Sequence, residues 1–217
     1  MTVTIASAQT WFDLDWVKLH WGDALRSMRD HLLWAALAFA IGFGLAVLLV
    51  MMGRRWRSAD PPLRAFALVA SAVPAVGIVS GMMPTVTSRP VILGSVALSV
   101  TALVYRATMH GLDRVDPEIV AEAITLGHSR WSRLTRVEFP MSLLAIRSGV
   151  RSAAVAAVGL IAVGGQMLRG GLGLMVRDAW ADGPRTQRVV GLVLIGVLCF
   201  VVDLTVRILL RPARRSG

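Results

Sequence analysis

Five apolar runs separated by polar segments organise this chain. The first, Leu32 to Met52, reads "LLWAALAFAIGFGLAVLLVMM" with no charge, and the second, Ala65 to Pro84, carries Pro74 in mid-run. A third run, Val91 to Tyr105, is short, so its ends must be shared with polar neighbours; a fourth, Met141 to Gly165, holds Arg147 and Arg151 in its first half. The fifth extends from Val189 to Leu210. About 20 apolar residues cross a bilayer as a helix, so the pattern predicts an all-α polytopic membrane protein with about five transmembrane helices. It divides the chain into an extracytoplasmic arm (1–30), a membrane domain (31–210) and a basic tail (211–217).

Composition agrees with the pattern: 55% of residues are hydrophobic, 17% are charged and 20 are glycine, a residue favoured in membrane helices. The net charge of +10 does not describe a nucleic-acid surface, because the arginines sit between apolar runs and form no continuous stripe. Their distribution instead orients the chain. With an odd number of spans, segments 53–64, 106–151 and 207–217 share one face and hold 15 arginines, against 8 basic residues on the other face. Basic loops stay cytoplasmic, which predicts a multi-pass protein of the bacterial cytoplasmic membrane, N-terminus outside and C-terminus inside. Trp11, Trp16 and Trp21 alternate with charges in the N-terminal arm, as expected of a segment at the membrane interface. The N-terminus lacks the basic leader of a secretory signal. Cys199 stands alone in an apolar run as a small filler, and the four histidines have no metal-ligand spacing.

Between the third and fourth runs lies "VDPEIVAEAITLGHSRWSRLTRVEFP". Asp116 can cap a helix, Pro117 suits its first position, and Glu118 favours the positive end of the dipole. Gly127 fits the position just past the helix end, where a left-handed residue stops it. Ser129 can cap a second helix, and Pro140 falls where the fourth span begins. The expected result is a helix–glycine–helix bracket on the basic face. One reading lays it on anionic lipid, with Trp131 at the interface and Arg130, Arg133 and Arg136 against headgroups. The other makes it a protein-docking knob, with Ile119, Ala123 and Leu126 on one helix face and the small Ala121 and Ala123 permitting close approach.

Here the residues carry a resemblance. Gly127, Val137 ten positions later, and Phe139-Pro140 resemble the cytoplasmic coupling loop of bacterial ABC importer permeases. That loop reads Glu-Ala-Ala, three residues, Gly, nine residues, a branched apolar residue, one residue, Leu-Pro. More narrowly, "GLDRVDPEIVAEAITLG", "RVEFPMSLLAIRSGVRSAAV", "RGGLG" and "LCFVVDLTVRILL" are similar to the osmoprotectant branch, which imports glycine betaine, choline or carnitine. The resemblance runs from about Val69 to Leu210 and is weaker before Tyr105. It implies the type I ABC importer permease fold and a binding-protein-dependent inner-membrane component. Two such permeases, as a homo- or heterodimer, would enclose the pathway. A cytoplasmic ABC ATPase dimer would dock on the loop (111–140) and carry the ATP and Mg, and an extracytoplasmic solute-binding protein would deliver substrate. Membrane lipid completes the expected partners; no nucleic acid is among them.

The resemblance assigns the coupling role to Asp116, Pro117, Ala121, Glu122, Ala123, Gly127, Val137, Phe139 and Pro140. The family glutamate should fall at 121, but the chain has Ala121 followed by Glu122, a displacement of about 100° around a helix. Ser71-Ala72 and Ala107 replace polar residues that the family carries in its second and third spans. No phosphate-binding Gly-x-x-x-x-Gly-Lys-Ser/Thr loop occurs, and the only lysine is Lys18, so this chain is expected to be neither an enzyme nor the binder of any cofactor. Candidate pathway or gate residues are Pro74, Tyr105, Arg147, Arg151, Gly170, Gly171 and Gly173. Arg147 and Arg151 either snorkel to headgroups, line a polar pathway or pair with a neighbouring span. Asp203 and Arg207 are spaced for a local pair. "LRGGLGLMVRD" reads as an outer hairpin or re-entrant element, or as a flexible loop. The alternatives to an osmoprotectant permease are one for methionine or another small solute, or an ATPase-independent channel or transporter.

Overall fold

The computed structural model describes residues 12–56, 58–72, 89–166, 170–181 and 183–211, and every regular element among them is helical. The elements are α1 (Leu14–Arg55), α2 (Asp60–Ala72), α3 (Arg89–Asp113), α4 (Pro117–Thr125), α5 (Arg130–Gly164), α6 (Gly171–Ala181) and α7 (Arg185–Leu209). Among the described residues, α1, α3, α5 and α7 are long and apolar enough to cross a membrane. The second expected span begins in α2; its remainder, with Pro74, lies outside the described residues.

Helix α1 differs most from expectation, because it starts at Leu14 rather than Leu32. The Asp13 carboxylate caps it by accepting from the Asp15 and Trp16 N–H groups at 2.9 and 3.1 Å, and Arg54 and Arg55 sit in its last turn. At 42 residues it is about 63 Å long, twice the thickness of a bilayer core. Thus residues 14–30 of the expected arm are the N-terminal part of the same rod. Its buried positions, Ala24, His31, Ala35, Ala38, Gly42 and Ala46, repeat at helical spacing and are nearly all small. The opposite faces present Leu33, Leu37 and Leu48, as lipid-facing helices do.

Helix α3 is the centre of the bundle, packed between α1 and α5, with α7 against α5 and α6 bridging α1 and α7. Lipid tails are as apolar as leucine, so close backbone approach at small residues has to supply much of the helix association. Gly42 rests on the Ala97 carbonyl and on Val100, and Gly149 on Ala107. The Thr101 hydroxyl adds a cross-helix bond, donating to the Gly42 carbonyl at 3.0 Å. His31 is fully buried, with Nε2 3.0 Å from the Val158 carbonyl on α5. A carbonyl can only accept, so Nε2 carries the proton.

The glycine-rich segment expected as a hairpin or re-entrant element is the 11-residue helix α6. Gly170 and Gly171 have φ of 145° and 79°, turning the chain into α6, and Gly173 lies against the Ala162 carbonyl and the Gly165 backbone. The start of α1 is tied to the start of α7, where the Asp13 N–H donates to Thr186 Oγ1 at 2.9 Å.

A methyl group on Gly42 would run into the Ala97 carbonyl and lie 2.7 Å from Val100 Cβ, whereas one on Gly44 would meet nothing within 4 Å. Gly42→Ala is therefore expected to destabilise the detergent-solubilised protein by about 1–3 kcal/mol. Gly44→Ala should leave the thermal midpoint unchanged or slightly raised; equal midpoints for the two variants would refute the packing account.

Candidate functional site

The bracket forms as the local signals require. Asp116 accepts from the Glu118 N–H at 2.9 Å, and Pro117 occupies the first turn of α4. Helix α4 ends in a Schellman arrangement: the His128 N–H reaches the Ala123 carbonyl at 3.1 Å, and the Gly127 N–H reaches that of Ile124 at 2.9 Å. Gly127 has φ of 79°, and no atom would touch a side chain there, so its requirement is purely conformational. Ser129 then caps α5, accepting from the Ser132 N–H at 3.2 Å.

Of the expected face Ile119, Ala123 and Leu126, only Leu126 lies on the outer surface of α4. Ala123 is buried and Ile119 half-buried, because that edge of α4 turns back onto the first turns of α5. The exposed apolar side chains are Ile124, Leu126 and Trp131, and Ala121, Glu122 and Glu118 share the exposed surface around them. The displaced glutamate thus remains on the accessible side of the helix.

The bracket does not end at Pro140. Helix α5 runs from Arg130 into the membrane-spanning part through a π turn, Leu134–Glu138, in which the Phe139 N–H reaches back to the Leu134 carbonyl. Proline has no N–H and its ring crowds the carbonyl four residues earlier. A turn widened by one residue just before Pro140 accommodates it without breaking the rod. Val137 is half-buried and Phe139 largely exposed on this stretch.

The π turn also carries Glu138, only 3% exposed. Its carboxylate accepts from Arg133 Nε at 2.8 Å and from Arg54 Nη2 at the end of α1. A buried carboxylate stays charged only when paired and hydrogen-bonded, and here two guanidinium groups close on it from different elements. Arg54, Arg55, Arg130, Arg133 and Trp131 line a cavity of about 440 Å³ around it. Nearby, Arg64 on α2 bridges Asp60 and Asp113, joining α2 to the end of α3.

The remaining candidates are scattered. Tyr105 is 1% exposed in the core, with its hydroxyl unpartnered among the described residues. Gly170, Gly171 and Gly173 lie at the start of α6, at the opposite end of the bundle from the bracket. Arg147 is half-buried on α5. Arg151, one turn further, binds Asp203 of α7 through Nε and Nη2, the latter at 2.6 Å from Oδ2. This corrects the expected Asp203–Arg207 pair: the planar fork of Arg151 meets both carboxylate oxygens across the helix interface, which a side chain one turn away on the same helix does not do here.

Residues 38–215 match the family of binding-protein-dependent transport system inner membrane components. The chain belongs to that family. It is a membrane permease component of an ABC-type importer, a multi-pass subunit that couples to a separate ATPase. It is 30% identical over 191 residues to the osmoprotectant import permease protein OsmW of Salmonella typhimurium, covering 82% of this chain and 86% of that one. With the glycine betaine/carnitine/choline transport system permease protein OpuCD of Bacillus subtilis it shares 26% identity, covering 77% and 72% of the two chains. Among solved structures, an amino acid ABC transporter crystallised with histidines superposes with a TM-score of 0.74 at 16% identity, covering 91% of this chain and 95% of that one. The inward-facing MetNI methionine ABC transporter gives 0.70 at 16%, covering 92% and 98%. At such identities these two show the fold of ABC importer permeases and nothing finer.

For this permease, sequence reasoning found the bracket but missed Glu138 as its anchor. The signal was present: a carboxylate two residues before a span-initiating proline, inside an arginine-rich stretch, has to be paired. Glu138→Ala is expected to cost about 3–5 kcal/mol by leaving Arg54 and Arg133 facing each other. By contrast Asp15→Ala, which removes a pair with side chains 76% and 91% exposed, should change stability by under about 0.5 kcal/mol. Chemical denaturation in detergent compares the two, and similar losses would remove the special status of Glu138.

Proposed function

We propose that this permease serves an importer of a compatible solute or quaternary amine such as glycine betaine, choline or carnitine. In this reading the N-terminus lies outside and the bracket and C-terminus lie in the cytoplasm, as the arginine distribution favours. Two permeases enclose the pathway, an ATPase dimer docks below, and an extracytoplasmic binding protein supplies the solute. The substrate class is supported by the relatives whose names include osmoprotectant, glycine betaine, carnitine and choline transport. Methionine or another small solute is the second reading.

The observation that carries the coupling role is the exposed apolar patch Ile124, Leu126 and Trp131 on a bracket that is continuous with a membrane helix. A docking knob needs an apolar centre with a polar rim, and Glu118, Glu122 and Arg130 supply the rim. The segment from Asp116 to Pro140 is then the ATPase contact, with Gly127 fixing the angle between α4 and α5. ATPase closure pushes α4, and α5 carries the motion into the bundle. Ala121 and Glu122 are the unusual part, since the carboxylate meets the ATPase one position later than in the family pattern.

Proline cannot adopt the φ of 79° found at residue 127. Gly127→Pro is therefore expected to lower substrate-stimulated ATPase activity of the assembled complex by about tenfold or more, with membrane insertion intact. Normal transport by that variant would end the coupling proposal. The substrate is read by proteoliposome uptake with all subunits, across glycine betaine, choline, carnitine and methionine. Uptake of methionine alone would replace the osmoprotectant reading.

A further inference from the structure

Arg151 and Asp203 meet inside the membrane-spanning bundle. Arg151 lies about midway between Phe139 and Gly164, roughly 18 Å along the axis from Phe139. Its pair with Asp203 is not buried in the subunit: the two side chains are 43% and 27% exposed. The pair forms one wall of an open cavity of about 430 Å³, together with Ser148, Ser152, Val155 and Ala156. That is within the size range of small-molecule sites. Charged side chains at membrane depth face a bundle interior or a water-filled cavity, because lipid tails cannot solvate them. In a permease this directs the cavity toward the solute pathway and away from lipid.

The chemistry of the wall is specific. A guanidinium has five N–H donors, and two positions on Arg151, Nε and Nη2, serve Asp203. Its remaining donors, including both on Nη1, have no acceptor among the described residues. Arg147 lies one turn before Arg151 and Arg207 one turn beyond Asp203, and neither lines the cavity. Arg151 and Asp203 are thus the two charged side chains that line the cavity. Their charges balance, so a lone cation or a lone anion would meet one opposite and one like charge. A molecule bearing both charges matches the arrangement.

We propose that Arg151 and Asp203 form a recognition site for a zwitterionic solute in the pathway. The solute's carboxylate binds the free Nη1 edge of Arg151, and its ammonium group lies against the outer side of Asp203. The solute dipole then runs antiparallel to that of the pair, which need not open. The site rests on the importer-permease reading and narrows its substrate class to zwitterions, glycine betaine and carnitine rather than choline; amino acids share this chemistry.

The test uses the complete importer in proteoliposomes, with labelled glycine betaine, carnitine, choline and methionine, each separately. Uptake of methionine alone by the native complex overturns the osmoprotectant reading, and the variants are then read on methionine; uptake of choline alone, or of none of the four, overturns the zwitterion site. On the transported zwitterion, Arg151→Gln and Asp203→Asn are each expected to lower uptake about tenfold or more, as loss of a charge-assisted hydrogen bond does. The reversed pair, Arg151→Asp with Asp203→Arg, restores the link between α5 and α7 but inverts the charges presented to the cavity. It is expected to assemble with the ATPase and to remain as poor as the single variants. Recovery of uptake in the reversed pair makes the bridge purely structural and overturns the site, as does native uptake by either single variant. Where a single variant fails to assemble, the reversed pair decides alone.

Discussion

The Glu138 carboxylate is the constraint on which the junction between the bracket and the membrane bundle depends. It is 3% exposed, sits on the π turn of α5, and is held by Arg133 of the same helix and Arg54 from the end of α1. Surface pairs in this chain, such as Lys18–Asp15, are worth little. A desolvated carboxylate is different, because losing its partners leaves an uncompensated charge. The bracket end of α5 is therefore tied to α1 at this point, and the His31–Val158 bond ties the two helices again deeper in the bundle. A π turn is ordinarily a place where a helix bends; the clamp stiffens this one against movement independent of α1.

Away from that point the bundle is held by closeness. Gly42 against Ala97, Gly149 against Ala107 and Gly173 against Ala162 let backbones approach where any larger residue would force them apart. Two polar bonds, Thr101 to Gly42 and His31 to Val158, fix the register of α1 on α3 and on α5. Together these explain why α3, a helix of modest length, can be the centre of the bundle. It presents small and β-branched residues on two faces at once, including Val96, Ala97, Val100 and Thr101.

Features decided within four or five residues were legible in the sequence. The Asp116 cap, the left-handed Gly127 and the Ser129 cap all follow from local hydrogen bonding, and each stands where the pattern put it. What required the third dimension was not legible. Glu138 reaches an arginine 84 positions away, and His31 a carbonyl 127 positions away. Asp203 prefers a partner 52 positions off to the arginine one turn along its own helix. The start of α1 is hidden in the sequence for a different reason. Charges between Leu14 and Leu32 lower hydropathy without lowering helix propensity, so the apolar run marks where a helix can sit in lipid and not where it begins. Pro140 looks like a boundary for a similar reason, since the π turn that lets α5 pass through it leaves no trace in composition.

Continuity of α5 gives the coupling proposal a mechanical consequence. With Glu138 as the pinned point, Arg130 lies about 12 Å to one side along the helix and Arg151 about 20 Å to the other. If α5 tilts as a rod about the clamp, displacement at Arg151 exceeds that at the bracket by a factor of roughly 1.7. Asp203 stands on α7, which packs against α5. A push on α4 therefore moves one member of the Arg151–Asp203 pair relative to the other. The pair holds two donors on one carboxylate with tight geometric demands, so even a small relative shift changes what the cavity offers a solute. Force applied at the bracket would alter affinity in the pathway without any contact between the ATPase and the solute, provided the clamp holds.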